Sequence, residues 1–260
     1  MIMRDPNPYK LLTPGPLTTT LSVREAMMID RCTWDEDYKR MTEEIRAGLL
    51  DFAHAGDDYT VVLMQGSGTF GVESVLSSVP GAKDRVLVLV NGAYSERMVK
   101  ILDRHGIAHA RLDFAWDEIP DAARVEAFLA EHPEVTVVSM VHNETTTGIL
   151  NDIEAVGRVV KAAGRTFVVD AMSSFGAVDI RVADIGIDYL VSSATSASRA
   201  FRASPTSSRA AKRSKRPRGM RERCRSTSTT SGTRWRKDTA NGASLRPPTS
   251  CVPSCRHSTS

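Results

Sequence analysis

Small and polar residues recur directly after apolar runs in this chain, and their types suit one kind of ligand. Gly66-Ser-Gly-Thr69 leads straight into a helical pattern, so the N–H groups and hydroxyls of Ser67, Gly68 and Thr69 are placed to hold a phosphate with the helix dipole assisting. No Gly-Lys-Ser/Thr follows, and the spacing is not a full dinucleotide fingerprint; the plain alternative is a connecting turn. Tyr94, in Asn91-Gly-Ala-Tyr94, offers an aromatic face to a flat ring, or is a core or rim aromatic. Thr145, in His142-Asn-Glu-Thr-Thr-Thr-Gly148, offers a hydroxyl to a ring oxygen, or is a turn residue. Asp170 ends the apolar run Thr166-Phe-Val-Val-Asp170. A carboxylate there can pair with a protonated ring nitrogen and keep a pyridine cofactor an electron sink; its alternatives are a helix cap or a surface acid.

The elements that must position these residues follow from periodicity. Strands are predicted at Thr60–Met64, Arg85–Val90, Ala108–Leu112, Thr136–Val141, Thr166–Val169 and Asp188–Ser192. Helices are predicted near Thr69–Ser78, Tyr94–His105, Asp121–Glu131 and Ile153–Ala163, with Ser22–Ile29 and Glu36–Phe52 as outer helices upstream. Arg85-Val-Leu-Val-Leu-Val90 is apolar on both faces, the mark of a parallel strand covered by helices on both sides. The fold class is therefore α/β, a three-layer α/β/α body with a mostly parallel sheet. In such a body ligands sit at the C-terminal ends of the strands, where the polar residues above gather.

Whole-chain charge hides two different sequences. Residues 1–194 carry 18 basic and 29 acidic residues, a net of −11, while residues 195–260 carry 16 basic and 2 acidic ones, a net of +14. Only Phe201, Met220, Trp235, Leu245 and Val252 are large apolar residues in the second segment. That is too few to offset the entropy of ordering, so disorder is predicted for 195–260 and an incomplete large domain for 1–194. Lys212-Arg-Ser-Lys-Arg-Pro-Arg218 is a dense basic cluster, but without interleaved aromatics a nucleic-acid arm is not the favoured reading. Cys32, Cys224, Cys251 and Cys255 have no paired zinc spacing, so no metal is expected. No apolar run approaches membrane-spanning length and no signal region opens the chain, so a cytoplasmic location without membrane contact is expected.

The order of these features resembles the class V aminotransferases of pyridoxal phosphate fold type I. The resemblance is carried by Leu11-Leu-Thr-Pro-Gly-Pro-Leu17, Cys32-Thr-Trp-Asp35, Gln65-Gly-Ser-Gly68, Asn91-Gly-Ala-Tyr94, Val141-His-Asn-Glu-Thr-Thr-Thr-Gly148, Val169-Asp-Ala-Met-Ser-Ser-Phe-Gly176 and Ile187-Asp-Tyr-Leu-Val-Ser-Ser-Ala194. It implies pyridoxal 5'-phosphate as cofactor, with Ser67, Gly68 and Thr69 on its phosphate and Tyr94 stacked on the ring. It further implies Thr145 on the ring hydroxyl side, Asp170 on the ring nitrogen, Met172 on the opposite face, and Pro14, Gly15 and Pro16 at the substrate entrance. Within the family the segments are most similar to members that move the amino group of 2-aminoethylphosphonate to pyruvate, giving phosphonoacetaldehyde and L-alanine. Alanine- or serine:glyoxylate transaminases and a non-catalytic pseudogene product are the alternatives. A homodimer and a small C-terminal domain belong to the same pattern; here the basic tail stands in that domain's place.

The resemblance breaks after Ala194. The family continues Asn-Lys-Cys-Ile-Gln-Gly-Val-Pro-Gly-Phe, and its lysine forms the Schiff base; this chain has Ser196 in that slot, so no catalytic residue is assigned. Codons exist for Ala194–Ser204 that spell the family sequence when read one nucleotide earlier. At the same offset Ser226–Gly232 can decode as Leu-Asp-Leu-Tyr-Asp-Gln-Trp, and Asn241–Pro247 as Lys-Trp-Arg-Phe-Thr-Ser-Pro. A frameshift after Ala194 is therefore expected, leaving the tail without a selected role.

Overall fold

A computed structural model of the chain describes residues 10, 11, 13, 15–194 and 207–212. Two helices come first, α1 (Leu21–Met27) and α2 (Glu36–Phe52). Strands and helices then alternate: β1 (Tyr59–Met64), α3 (Gly68–Ser78), β2 (Arg85–Val90), α4 (Ala93–Arg104), β3 (His109–Asp113), α5 (Ala122–Glu131) and β4 (Val135–Val141). A short hairpin of β5 (Asn143–Glu144) and β6 (Ile149–Leu150) follows. The described chain continues with α6 (Ile153–Ala162), β7 (Thr166–Asp170), α7 (Val182–Ile185), β8 (Tyr189–Ser193) and β9 (Ser207–Lys212).

The main sheet has the order β1-β9-β8-β7-β4-β2-β3. Strand β2 pairs parallel with β3 and β4, β4 with β7, and β7 with β8. Strand β9 alone runs antiparallel, against both β1 and β8. The alternation of a strand splits its residues between two cores. Leu87, Leu89, Val138, Met140, Phe167 and Val169 meet α5 and α6 residues such as Val125, Leu129, Val156 and Val160 in one core. Val86, Val88, Val90, Val137 and Val168 meet α3 and α4 residues such as Val75, Leu76, Met98 and Leu102 in the other. Helices cover both faces, which makes the body three-layered as the apolar runs predict.

The predicted elements are all present, with ends displaced by a residue or two in most of them. Helix α1 ends at Met27 rather than Ile29 and buries none of its residues. The tail brings a difference. Disorder is predicted for all of 195–260, yet Ser207–Lys212 forms β9, filling the space between β1 and β8. Ladder hydrogen bonds are made by backbone groups, so two facing strand edges can be bridged by a segment poor in large apolar side chains. The rest of that prediction, residues 195–206 and 213–260, lies outside the described residues, as does Pro14. Among the described residues no helix is long and apolar enough to cross a membrane, and no group of His, Cys, Asp and Glu could hold a metal ion.

Candidate active site

A cavity of about 270 Å³ opens at the C-terminal edge of the parallel strands. Gly68, Thr69, Tyr94, Thr145, Asp170 and Met172 line it together, and Gly15 and Pro16 close one side. Those are eight of the ten site residues expected from the sequence. Ser67 is not among the lining residues, and Pro14 is outside the described ones.

Each lining residue is held by the element that carries it. Ser67 caps α3, its hydroxyl accepting from the Phe70 N–H at 3.2 Å. Gly68 starts that helix at a place where a Cβ would lie 2.8 Å from the Met172 sulfur. A side chain there would push Met172 into the cavity, so glycine keeps the helix start and the methionine side by side. Thr69 accepts a hydrogen bond from Arg97 Nη1 at 3.2 Å, and the Arg97 guanidinium carbon lies 4.8 Å from the centre of the Tyr94 ring. On the far side Ser173 Oγ accepts from Asn143 Nδ2 at 2.9 Å and is hydrogen-bonded to Thr145 Oγ1 at 2.8 Å.

Asp170 ends β7 and is 4% exposed; its Oδ1 accepts from the Met172 N–H at 2.9 Å. Burial pushes its carboxyl up to about 6, against the Met172 hydrogen bond that lowers it; the charge of Glu144 adds to the rise and Arg97 opposes it. His142, buried beside it, donates its backbone N–H to the Asp170 carbonyl at 2.8 Å. Desolvation lowers its imidazole to about 4, so it is neutral at physiological pH.

Asp170 therefore carries a cost to folding. Its folded value lies above the ordinary 3.8, so the folded state holds the extra proton and the penalty grows as pH rises from about 4 to about 6. Asn in its place keeps an acceptor for Met172 and carries no charge. Asp170→Asn is expected to unfold in more urea than the parent chain at about pH 8, by up to ~3 kcal/mol, with the gain gone near pH 4. Equal gains at both pH values would contradict the buried-charge account.

Four participants are absent from the residues expected from sequence: Arg97, Asn143, Glu144 and Ser173. Glu144 is fully buried behind the cavity. Its carboxylate accepts from the Tyr94 and Ser95 N–H groups, each at 3.2 Å, and from Thr146 Oγ1 at 2.8 Å. It thereby ties the loop that carries Thr145 to the first turn of α4 that carries Tyr94. Gly92 admits it: a Cβ there would lie 2.2 Å from Glu144 Cγ. The only signal in the sequence is the glycine two residues before Tyr94.

The chemistry of this set fits a ligand with an anionic end, a flat ring and a basic ring nitrogen. The start of α3 with Thr69 suits the anion, Tyr94 and Met172 offer two apolar surfaces, and the buried Asp170 carboxylate suits a cationic N–H. Among the described residues that line the cavity there is no lysine.

The family described as aminotransferase class-V matches residues 31–195. A 2-aminoethylphosphonate–pyruvate transaminase of Salmonella paratyphi B is 49% identical over 187 residues, 72% of this chain and 51% of the relative. One of the same name from Lysinibacillus sphaericus is 50% identical over 187 residues, again covering 51% of its length. The chain thus spans about half the length of the curated relatives it matches. Among solved structures, pyridoxamine-pyruvate aminotransferase from Mesorhizobium loti superposes with a TM-score of 0.70 at 25% identity, over 79% of this chain and 51% of that one. Alanine–glyoxylate aminotransferase from Nostoc sp. superposes with a TM-score of 0.71 at 23% identity, over 87% and 59%. Family and fold together imply pyridoxal 5'-phosphate as the cofactor. With a match across most of the described body, this chain belongs to the class V aminotransferases.

Proposed function

We propose that the cavity binds pyridoxal 5'-phosphate, and that the intact protein uses it to move the amino group of 2-aminoethylphosphonate to pyruvate, giving phosphonoacetaldehyde and L-alanine. The observation that carries the binding reading is the buried Asp170 carboxylate facing the same cavity as the Gly68–Thr69 helix start. When bound, the cofactor supplies an electron sink for charge that develops beside the amine carbon. Ser67, Gly68 and Thr69 hold its phosphate. Tyr94 and Met172 pack its two ring faces and exclude water from them. Thr145, fixed by Ser173, meets the ring hydroxyl side, and Asp170 keeps the ring nitrogen protonated. Gly15 and Pro16, with Pro14, border the substrate entrance. The choice of amino donor rests on the names of relatives about half identical to this chain. The homodimer is part of the same reading.

On the same reading this chain binds the cofactor but does not turn over. A lysine amine is needed to hold the cofactor covalently and to move a proton between the reacting carbons. Ser196 stands in that slot, and the family match stops at Thr195. A one-nucleotide frameshift at that point accounts for both.

The test is cofactor retention. Pyridoxal phosphate is expected to bind with an altered absorption spectrum, to leave on dialysis, and to leave no pyridoxyl adduct on the peptide containing residue 196 after borohydride reduction. An adduct on a lysine of the cavity would overturn the reading of an uncoupled site. No spectral change at saturating cofactor would overturn the binding reading itself.

A further inference from the structure

Arg97 is a cationic side chain among the residues lining the cavity, and no other lining residue named with it is basic. It sits one helical turn beyond Tyr94 on α4, with its guanidinium over the Tyr94 ring and one N–H on the Thr69 hydroxyl. A hydroxyl has one proton to give and two lone pairs to accept with. Arg97 has no lone pair to offer in return, so its N–H occupies an acceptor position of Thr69. The hydroxyl proton is then free to be given to something else, and an anion in the cavity is a partner that can take it. Hydrogen bonds of this kind strengthen in a chain, because a donor that is itself hydrogen-bonded by a cation is more polarised. The guanidinium also adds positive charge at the end of the cavity where α3 begins. Its field is felt across the site, since it lowers the Asp170 carboxyl that burial raises.

We propose that Arg97 sets the preference of this pocket for a phosphorylated ring over the same ring without phosphate, by committing the Thr69 hydroxyl as a donor to the phosphate. This rests on the reading of the cavity as a pyridoxal phosphate site. Arg97 is a positioning residue: it acts through Thr69, and its place over the Tyr94 ring holds it there to do so.

The experiment compares pyridoxine 5'-phosphate with pyridoxine by calorimetric titration of the full chain. Neither carries an aldehyde, so surface lysines do not interfere. The parent chain should bind the phosphorylated ligand more tightly. Arg97→Met should cut that preference by ~10-fold, the scale of one charge-assisted hydrogen bond, while pyridoxine binding stays within about twofold. Thr69→Val should cut it similarly. Combining the two should cost little more than either, because both changes break the same linkage. Arg97→Lys, which keeps the charge without the planar fork, should recover part of the preference.

Equal weakening of both ligands by Arg97→Met would mean that the arginine only supports Tyr94, and would overturn the proposal while leaving the cavity reading intact. An unchanged preference in Arg97→Met would do the same. A parent chain with no preference for the phosphorylated ligand would overturn the phosphate site, and the Arg97 proposal with it.

Discussion

Expressed as written, the chain is expected to form no L-alanine from 2-aminoethylphosphonate and pyruvate above the rate without protein. The version with one base inserted before codon 195, its frame continued, is expected to be active. Two separate functions are lost with the lysine. One is the covalent hold on the cofactor, which keeps it in place between turnovers. The other is the base that carries a proton between the two reacting carbons. A positioned acid–base group alone is typically worth ~10²–10⁴ in rate. Ser196 has a short, neutral hydroxyl and cannot act as a base at neutral pH. The cavity supplies no substitute, since no lysine lines it among the described residues. His142, whose backbone N–H meets the Asp170 carbonyl, is buried and is not a lining residue. Coupled assay of alanine with both proteins at equal concentration decides the matter. Comparable turnover by the two would refute the frameshift account.

Removing the Glu144 side chain is expected to cost more stability than any other single truncation at the site. Glu144→Ala strips the acceptor from two backbone N–H groups at the start of α4 and from the Thr146 hydroxyl. The Ser95 N–H is buried, so leaving it without a partner costs ~1–3 kcal/mol; the half-buried Tyr94 N–H costs less, the exposed Thr146 hydroxyl turns to water, and the vacated space behind Gly92 adds a cavity term. A loss of ~3–5 kcal/mol follows, similar to that of breaking a buried ion pair by removing one partner. Glu144→Gln keeps an acceptor oxygen but turns its NH₂ toward donors, so a smaller loss is expected. Gly92→Ala should destabilise by forcing its Cβ into the carboxylate, and should cost much less in a Glu144→Ala background. Urea unfolding of the parent chain and the four variants measures all of this. A loss below ~1 kcal/mol for Glu144→Ala would mean the N–H groups find water, and that the carboxylate does not hold α4 to the loop.

Period and strand-end geometry made much of this site legible. Arg85–Val90 was predicted to the residue because its unbroken apolar run admits only a strand buried on both faces. Asp170 could be singled out because it follows four residues that must be in a parallel strand, and such a strand ends at a ligand edge. Other features had no local signal. Strands β5 and β6 are two residues each and are paired across a Thr-rich turn, too short for any period to show. Strand β9 is placed by the open edges of β1 and β8 rather than by its own residues. Glu144 reads as a solvated acid in a polar loop, and only its approach to Gly92 makes it a buried clamp. Arg97 reads as the outer face of an amphipathic helix. Its role depends on where α3 and α4 meet, which is a tertiary fact.

Thr69, Tyr94, Thr145 and Asp170 are proposed to form one pyridoxal phosphate pocket. A crystal structure of the chain with that cofactor tests it most directly. Phosphate is expected at the start of α3 beside Thr69, the ring between Tyr94 and Met172, and the ring nitrogen on the Asp170 carboxylate. Residue 196 should make no covalent bond to it. Cofactor density elsewhere on the molecule, or a ring whose nitrogen points away from Asp170, would contradict the account.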